Sequence, residues 1–238
     1  SNGITTMAKS FLNWAQAFSG REPNASDKVV PLTSKVESVD ETLKLEATQW
    51  LSNIGIKGKK FRIMFLGSHY PSLNFDHIFI ASKALKAKGI KCEFIICGSG
   101  QLTDELRKKA QDNHEIIFTG WVDRAKINAI AEKCNMSIAP FRNVPNYTAN
   151  LPNKIIDYLS LGLPILSPLK GELSNLIASN HVGLSYDEKN LATLSDGIAS
   201  LIDSADLEVM KRNTLDCYAE LFDFDAVYRN LVQHLEDL

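Results

Sequence analysis

Between residues 61 and 186, short uninterrupted apolar runs alternate with longer stretches whose apolar residues recur at helical spacing. The runs are FRIMFLG from Phe61, CEFIICGSG from Cys92, EIIFTGWV from Glu115, MSIAP from Met136, PILS from Pro164 and the segment from Gly183 to Tyr186. Runs this short without polar alternation fit strands covered on both faces, as in a parallel sheet. The intervening stretches predict helices over 75–88, 102–111, 124–133, 172–178 and from Pro152 to the closing Gly162. The alternation predicts an α/β fold: a doubly wound, Rossmann-like parallel sheet of about six strands, with helices on both faces and right-handed crossovers. In such a sheet the ligand crevice lies beyond the carboxyl ends of the strands. Those ends are Gly67-Ser68, Gly98-Ser99-Gly100, Thr119-Gly120-Trp121, Pro140-Phe141 and Ser167-Pro168, where polar and glycine residues collect.

Residues 1–60 have a different rhythm. A helix is predicted over 4–18, with Trp14 and Phe18 as bulky anchors one turn apart. A turn-rich stretch (GREPNASD, 20–27), an extended piece over 28–32 and a helix over 39–52 follow. Two helices and almost no strand read as a linker and remnant helices from another domain's edge, with a boundary at residue 60 and a sheet domain over 61–238. At the far end Phe222, Phe224, Val227 and Leu231 form an apolar row along a closing helix.

The richest candidate chemistry lies in LPNKIIDYLSLGLPIL, from Leu151 to Leu166. It follows the strand ending at Pro140 and a polar loop over 141–150. Pro152 suits a helix start, where its fixed φ and missing N–H cost nothing. Lys154 falls in the first turn, among unpaired backbone N–H groups where the helix dipole is already positive. A cation there makes sense over a bound anion; a solvated surface lysine is the alternative. Asp157 lies three residues on, either a ligand group or a surface carboxylate paired with Lys154. His69 faces either ligand or solvent, Trp121 either packs near a ligand or covers the core, and Glu172 suits the start of its own helix.

Composition narrows the classes. The 238 residues are 45% hydrophobic and 23% charged, with formal charge −2 and no basic run, so a nucleic-acid partner is not expected. No apolar run reaches the ~18 residues that span a bilayer. The N-terminus, SNGITTMAKSF, lacks the apolar core of a signal peptide, so a cytoplasmic protein is expected. Its first residues read as a tag scar or the start of a cut piece. Cys92, Cys97, Cys134 and Cys217 lack metal spacing and are expected to be buried free thiols; neither metal nor cofactor is expected. No G-x-G-x-x-G follows the first strand, which argues against a dehydrogenase.

Taken in order, GS after the first strand, then FIICGSG, IIFTGWV, MSIAPF, LPNKIIDYLSLGLPIL and KGEL resemble the C-terminal half of GT-B glycosyltransferases. The likeness is closest to the retaining, family-4-like enzymes and runs from about Phe61 to the end. It implies two Rossmann-like domains with the active site between them, of which this chain has room for one. The chain would then be a donor-binding half that holds a nucleotide-diphosphate sugar for transfer to an unknown acceptor. The missing N-terminal domain or a partner chain would complete it and make any peripheral membrane contact.

The resemblance also assigns residues. Asp157 aligns with the second carboxylate of a carboxylate–seven residues–carboxylate motif and would bind the ribose hydroxyls. The first position is Ala149, which cannot contact the donor sugar; either Asn146 or Asn150 substitutes or the site is catalytically weak. The family's basic pair after the first strand is absent, since Gly67-Ser68 and Asn74-Phe75 stand there. Lys154, aided by Arg142, would supply the diphosphate's countercharge. Backbone groups of Gly120, Trp121 and Val122 would read the base. Gly67, Ser68, Gly98, Ser99, Asn150, Leu151, Pro152 and Asn153 complete the expected donor site, and no catalytic residue is assigned. The alternative is a non-catalytic pseudo-glycosyltransferase subunit that partners an active transferase. A sugar-nucleotide epimerase would need both domains and further carboxylates.

Overall fold

Strand and helix alternate from the first described residues onward in the computed structural model, which describes residues 2–237. The first unit is β1 (Thr5–Thr6), α1 (Lys9–Ser19) and β2 (Lys28–Val29), with the two strands parallel. The helix expected over 4–18 starts late because residues 5–6 are spent on this pairing. Asp27 organises the unit by accepting from the Ile4 N–H, Gln16 Nε2 and Arg21 Nη2. Those contacts, the Gln16 bond foremost, hold its carboxyl below the usual range. Then come α2 (Glu41–Asn53), β3 (Phe61–Leu66), α3 (Asp76–Ala87), β4 (Cys92–Cys97), α4 (Thr103–Lys109), β5 (Ile116–Gly120) and α5 (Arg124–Ala131). β6 (Met136–Ile138), α6 (Pro145–Thr148), α7 (Asn153–Ser160), β7 (Ile165–Ser167), α8 (Glu172–Asn180) and β8 (Gly183–Ser185) complete the sheet. The chain closes with α9 (Ala192–Leu201), α10 (Ala205–Leu221) and α11 (Phe224–Glu236).

The large sheet has six parallel strands in the order β5-β4-β3-β6-β7-β8. The chain builds outward from β3 to β5, then returns to the other side of β3 as β6. The order therefore reverses between β3 and β6, and this switch point opens the crevice at the strands' carboxyl ends. Ile63, Met64, Phe65, Phe94, Ile95 and Ile138 are fully buried, as strands covered on both faces require.

The core does not stop at residue 60. Ala47 and Leu51 of α2, with Ile56 after it, share the core of the sheet, and α2 packs on α5. Only residues before about 33 stand apart as the small β1–α1–β2 unit. Glu172 fastens that unit: it takes the Ser10 N–H at 3.0 Å and the Ser10 hydroxyl, so it caps α1 as well as starting its own helix. α11 has no fully buried residue and lies against 28–31, with the Lys28 ammonium on the Asn230 carbonyl. The loop expected over 141–150 contains the single turn of α6.

At the amino ends of the strands, the end away from the crevice, Arg62 is buried with 1% exposure. It sits opposite Glu93 across β3 and β4, and its Nε donates to Glu93 Oε2 at 2.8 Å. Nη1 and Nη2 donate to the carbonyls of Gly58 and Lys57, at 3.0 and 2.6 Å. Removing Glu93 leaves the buried Arg62 charge without a carboxylate partner. Glu93→Ala is expected to cost about 3–5 kcal/mol in urea unfolding. Lys60→Ala, which removes only the exposed partner of Glu93, should cost under about 1 kcal/mol. Equal costs would contradict this account.

Candidate functional site at the strand ends

Tyr158 sets the position of α7. Its hydroxyl accepts from the Leu66 N–H at 2.9 Å and donates to the Ile138 carbonyl at 3.2 Å, so the fully buried ring spans the β3–β6 switch point. One turn earlier, Lys154 reaches over the end of β3. Its ammonium lies 4.3 Å from the centre of the Phe65 ring and 5.0 Å from that of Phe141. Gly67 leaves the space it occupies: a Cβ there would stand 2.9 Å from Nζ. Among the described residues Lys154 has no carboxylate partner, and burial lowers its pKa to about 8. The N–H groups of Asn153 and Lys154 also lack an acceptor among those residues, because Pro152 at the N-cap offers no side-chain oxygen.

Asp157 does not pair with Lys154. Its Oδ1 accepts from Ser34 Oγ at 3.3 Å and faces Arg124 Nη1 at 3.9 Å. Burial raises its pKa, with Arg124 and then Ser34 opposing. The arrangement is therefore a cation and a carboxylate on successive turns, each turned to a different side of the crevice.

The glycine turns of β3 and β4 interlock. Gly67 N–H donates to Cys97 O at 3.1 Å, and Gly98 N–H to Gly120 O at 2.7 Å. A Cβ on Gly98 would run into the Gly67 carbonyl, and one on Gly100 into the His69 backbone. His69 is fully buried beneath these turns, facing neither ligand nor solvent. Its Nδ1 meets Thr103 Oγ1 at 3.0 Å, and Phe65, Phe75 and Phe118 surround it. Burial first, then the nearby Lys154 charge, lowers its pKa to about 4, which leaves it neutral.

The other expected residues divide into groups. Ser68, Ser99 and Asn153 are exposed along the crevice rim, and Trp121 is 75% exposed beside Gly120. Val122 is buried in the core. Arg142 is turned away: its Nε donates to the Pro71 carbonyl at 2.9 Å. Asn150 accepts from the Leu151 N–H, and both residues border a 190 Å³ crevice shared with Met7, Pro31 and Phe222. Ala149 borders a separate 500 Å³ groove with Asn146, Ser10 and Trp14. The four cysteines are buried free thiols, with burial raising Cys92 and Cys97 to about 12. Among the described residues no cluster of three or more His, Cys, Asp or Glu could hold a metal, and no helix is long and apolar enough to cross a membrane.

The family model of glycosyl transferases group 1 matches residues 60–204, more than half of the chain. The chain belongs to that family. Group 1 membership agrees with the architecture of the solved structures it resembles. HepE of Anabaena, in complex with UDP and glucose, superposes with a TM-score of 0.74 at 14% identity, over 100% of this chain and 64% of that one. Sucrose-phosphate synthase of Thermosynechococcus elongatus gives 0.72 at 13%, over 100% and 58%. A TarM variant of S. aureus, in complex with fondaparinux, alpha-GlcNAc-glycerol and UDP, gives 0.67 at 12%, over 98% and 43%. At these identities the likeness shows the fold, that of one half of a GT-B glycosyltransferase. This chain spans 64% or less of the length of those three. No curated protein matches it in sequence.

Sequence reasoning missed Tyr158, Arg124 and Ser34. Tyr158 sits among Ile155, Ile156 and Leu159, so its polar atom was hidden in an apolar face. Arg124 and Ser34 lie in segments far from Asp157 in sequence, with no signal to join them to it.

The interlocked turns make a prediction. Gly98→Ala forces a side chain into the Gly67 carbonyl at φ +112°, whereas Gly120→Ala at φ +74° meets open space. Gly98→Ala is expected to lower stability by about 3 kcal/mol or more, and Gly120→Ala by about 1 kcal/mol, read by chemical unfolding. Similar values for the two would mean that the turns are not tightly interlocked.

Proposed function

We propose that this group 1 chain is the donor half of a nucleotide-sugar-dependent glycosyltransferase and that its strand-end crevice grips a nucleoside diphosphate. The observation that carries the reading is the Lys154 ammonium: desolvated, without a carboxylate partner among the described residues, and poised over the open backbone of Gly67. A cation held in that way is stabilised by an anion, and the two unfilled N–H groups at the same helix start can take acceptor oxygens as well. The UDP bound in the HepE and TarM structures supports the choice of ligand.

In this reading Asp157 accepts the ribose hydroxyls, and the backbone of Gly120 and Trp121 reads the base. The geometry favours Lys154 alone as the diphosphate's countercharge, without Arg142. As the glycosyl bond breaks, the sugar becomes oxocarbenium-like and negative charge grows on the departing diphosphate. Lys154 and the helix-start N–H groups meet that charge without reorganising. The acceptor and any general base come from a second domain or partner chain, so this chain by itself binds nucleotide without turnover. The second reading is a non-catalytic subunit. It is favoured by Ala149, which offers no carboxylate to the donor sugar, and by Gly67-Ser68, which offers no cation after β3.

Calorimetry with UDP, GDP and the corresponding nucleosides tests the donor reading. Lys154→Ala should weaken the diphosphates by about 1.5–3 kcal/mol and leave the nucleosides nearly unchanged. Asp157→Asn should weaken both, because both carry the ribose. Absence of saturable UDP and GDP binding at millimolar ligand would overturn the proposal.

A further inference from the structure

We infer that Arg124, assisted by Ser34 of the linker, is a positioning residue that aims the Asp157 carboxylate at a ribose diol. The inference rests on the donor reading above. Both protein contacts of Asp157 fall on Oδ1: the Ser34 hydroxyl and the Arg124 guanidinium. Oδ2 has no hydrogen bond among the described residues. One oxygen is thus anchored and the other is left open. A vicinal diol donates two O–H bonds to a carboxylate: Oδ2 takes one, and Oδ1 keeps a lone pair for the second.

The anchors are themselves fixed. Asp123 caps α5 by accepting from the Lys126 N–H at 2.9 Å, which makes Arg124 the first residue of the helix beside the Gly120-Trp121 turn. Arg124 Nη2 donates to the Lys35 carbonyl at 3.3 Å. The Ser34 carbonyl accepts from the Tyr218 hydroxyl at 2.8 Å, and the Thr33 hydroxyl donates to the Phe222 carbonyl. Two separate segments (α5 and the linker) therefore converge on one carboxylate oxygen, and α10 holds the linker in place. Such convergence would be idle for a surface carboxylate.

Charge supports the geometry. A half-buried carboxylate drifts toward its neutral form, and a neutral Asp157 would lose an acceptor. The groups facing it are Arg124 from α5, Ser34 from the linker and Tyr218 from α10, whose ionisation burial pushes up. On its own helix, Tyr158 is turned to the strands and Lys154 to Gly67. Arg124 is the cation that faces the carboxylate, and it holds the charged form more strongly than the Ser34 hydrogen bond does.

The test is calorimetric titration of UDP and of uridine between about pH 4 and pH 8 with wild type, Arg124→Gln, Arg124→Lys, Ser34→Ala and Asp157→Asn. Affinity for uridine should fall in the wild type as pH drops through the Asp157 pKa, and Asp157→Asn should flatten that dependence; the UDP profile also carries the titrations of its terminal phosphate and of Lys154, so uridine gives the midpoint. Removing the cation raises the pKa, so in Arg124→Gln the fall should begin about one pH unit higher. Arg124→Lys should restore the wild-type midpoint, and Ser34→Ala should move it less in the same direction. The carboxyl-carbon NMR titration of Asp157 should show the same upward shift without ligand. If wild type binds and Asp157→Asn loses its pH dependence while Arg124→Gln superposes on wild type, the inference fails and the donor reading stands. If wild type binds neither UDP nor uridine, both fail.

Discussion

One buried phenol fixes the helix of the candidate site onto the sheet. Tyr158 is fully enclosed, yet its hydroxyl satisfies the Leu66 N–H at the end of β3 and reaches the Ile138 carbonyl on β6. These strands are adjacent, and the sheet order reverses between them, so one side chain ties α7 to both walls of the crevice. A buried hydrogen bond contributes only about 1 kcal/mol net, but leaving those groups unpaired costs more, so the geometry is strongly specified. Lys154 over Gly67 and Asp157 beside Arg124 both take their places from that anchorage, one turn before it and immediately before it.

In the proposed donor site the two charges serve different parts of one ligand. Lys154 lies between two aromatic faces, and burial draws its pKa down to about 8. Asp157, three residues on, meets Ser34 and Arg124 instead, and there burial draws its pKa up while Arg124 opposes. A direct pair between them would have cancelled both charges and removed the reason for an anion to bind. Keeping them on separate sides leaves an electropositive point near the strand ends and an acceptor some distance away.

The sheet was legible in the sequence because strands covered on both faces leave uninterrupted apolar runs. FRIMFLG, CEFIICGSG and EIIFTGWV became β3, β4 and β5, and Asn153–Ser160 became a helix one residue after Pro152. The boundary at residue 60 was less legible. α2 is largely polar, and only Ala47 and Leu51 on it, one turn apart, are buried. The glycines at the strand ends were legible as turns, but at Gly98 and Gly100 their reason is backbone contact with Gly67 and His69. Long-range partners left no local trace: Ser34 and Arg124 reach Asp157 only after the linker and α5 have packed. Arg62 and Glu93 show the same limit, since the register that pairs two charges inside apolar runs belongs to the sheet.

In the proposed donor site Lys154 carries a charge that the fold leaves uncompensated until a diphosphate arrives. The most direct test is the NMR titration of the Lys154 side-chain nitrogen, selectively labelled, without ligand and with saturating UDP. The account predicts a midpoint of about 8 in the free protein and a clear rise when UDP is bound, because an adjacent anion favours the charged form. A midpoint at the ordinary lysine value that UDP leaves unmoved would contradict it.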